Sequence, residues 1–130
     1  MHDAIGIPLA PGDLVVHKYR SRSAFVCNVI TQIVEDGTEN SQLRTPNNNR
    51  TYSLLTIRPV LKTANNPAQH RIIEGKQKVP CIEVIRIPIE SLVKGIFYYG
   101  WNYNLRNNER LCYDALTMLR NLHIKYTAVK

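Results

Sequence analysis

After Asn107 and Asn108 the chain changes its period. Apolar side chains recur at Leu111, Cys112, Ala115, Leu116, Leu119 and Leu122, in steps of three and four that put one continuous stripe on a single side of an α-helix. Either asparagine can cap such a helix by accepting its first free N–H groups. The spacing predicts a helix over 107–122 that must bury its stripe against another layer. Everything ahead of it reads as short apolar runs punctuated by Pro, Gly and Asn. Several strands followed by one packing helix define an α+β domain, mainly an antiparallel small barrel or half-barrel with a C-terminal amphipathic helix. The whole chain, 130 residues and 14.9 kDa, is read as one domain.

The strands are placed by alternation and by turns. Ile5 to Asp13 carries two prolines and two glycines and ends in a Pro11–Gly12 turn. Leu14 to Tyr19 is a first strand, and Arg20–Ser21–Arg22–Ser23 is a hairpin connection. From Ala24 to Val34 the odd positions Phe25, Cys27, Val29 and Ile33 are apolar while Asn28 and Gln32 are not, which predicts one buried and one wetter face. Residues 35–50 are polar and asparagine-rich, a long loop. Tyr52 to Leu61 is a strand with Leu55 and Ile57 on one face, and Pro59 points to an edge or a strand end. A second loop covers 63–70. Arg71–Ile72–Ile73 and Val79 to Ile89 are read as two strands joined by a turn at Glu74–Gly75–Lys76–Gln77–Lys78. In this reading Cys81 falls on the apolar face of the second. The β-rich part thus spans 1–103, and 124–129 adds a short final strand after the helix.

The opening Pro11–Gly12–Asp13–Leu14–Val15–Val16, with its hairpin and a second strand able to carry the chain around a curl, resembles SH3-like and KOW-type small barrels over residues 11–34. That resemblance implies an SH3-like fold class and binding of nucleic acid or protein. It implies no particular functional residue.

Charge narrows the function. Seventeen Lys and Arg stand against ten Asp and Glu, a formal +7, which favours polyanionic partners, nucleic acid first among them. Between Asn40 and Pro80 seven cations, Arg44, Arg50, Arg58, Lys62, Arg71, Lys76 and Lys78, meet Glu74 alone. On loops and hairpin tips gathered along one edge they would form a stripe that displaces counterions from a phosphate backbone. The turn His17–Lys18–Tyr19–Arg20–Ser21–Arg22–Ser23 adds Lys18, Arg20 and Arg22 for phosphates and Tyr19 for stacking, with no acid among them. No spacing encodes base readout, so the expected binding is largely sequence-tolerant. The rings of Phe97–Tyr98–Tyr99–Gly100–Trp101–Asn102–Tyr103 are read as packing that closes the barrel and seats the helix, rather than as a stacking platform.

Other chemistry has little to stand on. The four histidines are scattered, and Cys27, Cys81 and Cys112 form no CxxC pair, so neither a metal site, a cofactor nor a disulfide framework is expected. No Gly-rich phosphate cradle and no nucleophile elbow occurs. Ile72–Ile73–Glu74–Gly75–Lys76 resembles one half-motif of the PD-(D/E)xK nucleases, but no Asp is suitably placed upstream. Met1 to Ala4 lacks the start of a secretion signal, and no run approaches the roughly 18 apolar residues of a membrane span. The expectation is a cytoplasmic, non-enzymatic nucleic-acid-binding domain, accessory or regulatory, with no membrane partner. The alternatives are a module binding an acidic protein surface and a metal-dependent nuclease. Twelve asparagines match the codon bias of AT-rich genomes, and small basic phage accessory proteins share this size and style.

Overall fold

The computed structural model describes residues 1–18, 25–35, 52–93 and 108–128. Five strands form one antiparallel sheet: β1 (Leu14–Lys18), β2 (Phe25–Glu35), β3 (Tyr52–Lys62), β4 (Arg71–Pro80) and β5 (Ile85–Ile87), with α1 (Glu109–Thr127) packed on it. The spatial order is β4-β3-β2-β1-β5. The first four strands are a meander, and β5 returns to pair with β1. This is the α+β half-barrel with a C-terminal helix that the sequence predicts.

Each side of the sheet carries a core. On one side Leu14, Cys27, Val29 and Ile57 pack with Val26 against the α1 stripe Leu111, Cys112, Ala115, Leu116, Leu119 and Leu122. All six predicted stripe residues are buried, and Asn108 caps the helix by accepting from the Leu111 N–H at 3.2 Å. On the other side Val15, Ile30, Leu54 and Val79 are covered by Leu9 from the N-terminal arm and by Cys81 and Val84 from the segment joining β4 to β5. Strand β2 is therefore buried on both faces from Val26 to Ile30, not on one. Asn28, read as part of a wetter face, occupies a buried polar position, whereas Gln32 beyond this stretch is exposed.

Three other expectations are corrected. Residues 71–80 make one continuous strand, so Glu74–Gly75–Lys76 is no turn, and β3 holds it in register from Ser53↔Pro80 to Lys62↔Arg71. The second predicted strand breaks instead at a 3-10 turn, Cys81–Glu83, which carries buried Cys81 across to β5. The helix continues through Ile124 and Tyr126, where a final strand over 124–129 was expected, and the Ala128 N–H closes it on the Ile124 carbonyl at 3.1 Å. Pro59 lies inside β3 and marks a local edge, as its missing N–H requires. It lies in β3 beyond the last β2 pair, Val29↔Ile57, where β4 alone pairs with the strand among the described residues. The loop at 63–70 contains a 3-10 turn, Pro67–Gln69, capped by the Asn66 side chain.

The predicted Pro-Gly turn is the joint between the sheet and the helix. Gly12 adopts φ +92°, a region open to glycine and strained for other residues. Its N–H donates to the Ile30 carbonyl at 2.7 Å, and its carbonyl lies 2.7 Å from His123 Nδ1 on α1. The arm ahead is tied down by Asp3. This buried carboxylate accepts from the Ile5, Ile7 and Arg86 N–H groups at 2.8 to 3.0 Å. Burial raises the Asp3 pKa, but backbone N–H groups of Arg86, Ile7, Ile5 and Gly6 outweigh it and hold the carboxyl below its ordinary value.

Candidate nucleic-acid interface

Successive strand residues point to opposite faces and directly paired residues share one, so the registers fix where the cations lie. Lys62 and Arg71 are direct partners. They share the face of Leu54 and Val79, away from α1, and Arg58 shares it too, opposite Gly75. Lys76 and Lys78 have the other parity. They stand opposite Ile57 and Leu55, on the helix side. All five therefore project from strands β3 and β4, not from loops or hairpin tips, and they divide between the two sides of the sheet. Lys18, opposite Phe25, ends β1. Tyr19, Arg20, Arg22, Arg44 and Arg50 lie outside the described residues, as does the aromatic run Phe97–Tyr103.

What unites the described cations other than Lys18 is β4, an outer strand of the sheet that pairs with β3. At its start the exposed Lys62 and Arg71 sit side by side, about 5 Å apart at Cβ. Arg110, which the sequence reading did not single out, joins them: its guanidinium donates to the His70 carbonyl at 3.0 Å, next to Arg71 in the chain. Only the folded packing of α1 against β4 brings it there. Glu109 in the first helical turn is the neighbouring acid. Like charges held directly opposite repel, and an anion between them relieves that.

Further along β4, a hollow of 390 Å³ opens between the strand and the last turn of α1, lined by Thr31, Leu55, Ile57, Lys76, Lys78 and Tyr126. The irregularity of β2 between Ile30 and Gln32 helps shape it, since Thr31 there turns its hydroxyl to the Leu55 carbonyl at 3.0 Å. The Lys125 ammonium lies 5.3 Å over the Tyr126 ring, a cation–π distance. A second hollow of 370 Å³ alongside is lined by Glu74, Asp114, Asn121 and Lys125 among others. Among the described residues no three His, Cys, Asp or Glu side chains gather to hold a metal ion.

On the face away from α1 a polar network occupies the sheet centre. Asn28 Nδ2 donates to Thr56 Oγ1 at 2.7 Å, and Thr56 Oγ1 donates to the Gln77 carbonyl at 2.9 Å. Asn28 Oδ1 and His17 Nε2 are buried there with no hydrogen-bond partner among the described residues. His17 Nδ1 lies 3.0 Å from the Lys18 carbonyl, which places the neutral ring's proton on that nitrogen. Burial, followed by the Arg58 charge, lowers the His17 pKa against the raising effects of the Lys18 carbonyl, Asn28 and Glu83. Cys27, Cys81 and Cys112 are buried thiols outside any disulfide, and burial pushes the Cys27 thiol up to about 12, so it is no nucleophile. No described helix is long and apolar enough to cross a membrane. No protein-family model, curated protein or solved structure matches this chain.

Proposed function

We propose that this protein is a non-enzymatic nucleic-acid-binding domain that contacts the phosphate backbone through cations beside its outer strand β4. The reading is supported above all by one observation: Lys62 and Arg71 are direct cross-strand partners, and Arg110 is tethered next to them through the His70 carbonyl. Three cations on rigid elements at one end of a sheet suit phosphate oxygens, which accept from Lys and Arg whatever the base. Lys18 adds a cation apart from this group, on the helix side of β1 with Leu14 and Val16. The role is accessory or regulatory, since backbone contacts position a chain without reading its sequence.

The test is binding to random-sequence oligonucleotides across salt. With about four phosphate contacts, affinity for a single strand falls on the order of 50-fold between about 50 and 200 mM salt. Absence of binding at the lowest salt refutes the reading. Retention of an acidic protein from lysate after nuclease treatment, with no nucleic acid bound, moves the same cations to a protein partner.

A further inference from the structure

We propose that the nucleic acid this domain takes is single-stranded, and that it runs along the β4 edge and turns around it, seating an unpaired base in the hollow beside Tyr126. The inference rests on the reading above and adds the substrate class. Its ground is the parity of the strand. Lys62 and Arg71 lie on the face away from α1, whereas Lys76 and Lys78 lie on the helix side of the same outer strand. From Arg71 to Lys78 the edge is about 23 Å long at roughly 3.3 Å per residue. A duplex is stiff over about 150 base pairs and meets such an edge from one side only. A single strand bends freely, so its phosphates can meet both sets in turn.

The hollow supplies the second argument. It is lined by Leu55 and Ile57, by the Tyr126 ring, by polar groups of Thr31, Thr56 and Gln77, and by the two cations, with no carboxylate among the lining residues. A cleft that combines a ring, apolar surface, hydrogen-bonding groups and cations suits a nucleobase followed by its phosphate. Its 390 Å³ is in the lower range of clefts that take a small organic group, roughly 300–1,000 Å³. A base can enter only when it is not paired.

The experiment compares an oligonucleotide of about 12 nucleotides with the same sequence as a duplex, for the full chain and two double variants. Wild type binds the single strand at least about tenfold more tightly. Lys76→Ala with Lys78→Ala lowers the single-strand salt slope by about 1.4, two contacts at about 0.7 each, and leaves the duplex slope unchanged. Lys62→Ala with Arg71→Ala lowers both slopes. Equal or tighter duplex binding, or a single-strand slope indifferent to Lys76 and Lys78, overturns this inference while the phosphate reading stands. No binding of either form overturns both.

Discussion

Gly12→Ala tests the joint between the sheet and the helix, with Gly6→Ala as its control. Both glycines have positive φ, +92° and +87°. An added Cβ at Gly6 meets nothing within 4 Å, so only backbone strain is felt there. That strain costs about 1 kcal/mol. At Gly12 the same strain applies, and the Cβ also meets Thr127 Oγ1, with the Thr127 backbone N at 2.8 Å and Cα at 3.0 Å. Ordinary contacts are about 3.5–4.0 Å, so the last turn of α1 must move outward by close to an ångström. Overpacking of that size adds about 2 kcal/mol, giving about 3 kcal/mol in all. With a urea m-value of about 2 kcal/mol/M, the midpoint falls by about 1.5 M for Gly12→Ala and about 0.5 M for Gly6→Ala. Thr127→Ala in the Gly12→Ala background recovers less than half, because two of the three close atoms belong to the backbone. Equal midpoints for the two glycine variants, or full rescue by Thr127→Ala, would refute the reasoning.

Three further measurements probe the interior and the charge. Thr56→Val leaves Asn28 Nδ2 without its 2.7 Å acceptor in a fully buried position, and denaturation should record a loss of about 1–3 kcal/mol. His17 binds its proton less readily folded than unfolded, so the unfolded chain holds more protons as pH falls below about 6.5. Stability therefore declines below that pH by up to about 1.4 kcal/mol per unit, until the folded ring also protonates. His17→Gln should flatten that slope, and a wild type flat from pH 7 to 5 contradicts it. Asp3 acts lower down: its carboxyl is held below the ordinary value, so the stability it contributes is present above about pH 4 and lost as pH falls further. Asp3→Asn should remove that acid-side loss.

Where sequence and fold agree, one physical constraint dominates. The α1 stripe was legible because a helix packed on one side enforces a 3.6 period, and all six residues are buried. The Pro11–Gly12 turn was legible because few residues accept its backbone. Tertiary partners decided the rest. Ile124 and Tyr126 have strand-like chemistry, yet they extend a helix already nucleated, with Tyr126 packed against the helix-side core. Glu74–Gly75–Lys76 has turn composition, but an 11-residue β3 pairs with it along its length. The two-sided burial of β2 depends on the segment between β4 and β5 and on the N-terminal arm, neither of which alternation reports. In the interface, the cation excess was visible and its geometry was not. Strand parity separates Lys62 from Lys78, and a contact from α1 to the residue before Arg71 adds Arg110. Neither is written in local composition.

The central claim is that phosphates bind at particular cations and not to net charge at large. Salt slopes for single-strand binding decide it, measured for wild type, for Lys62→Ala with Arg71→Ala, and for Arg86→Gln on the far strand β5, where Arg86 instead pairs with Asp13 at 3.5 Å. The account predicts a slope reduced by about 1.4 in the double variant and unchanged for Arg86→Gln. Equal slopes in all three proteins would contradict it.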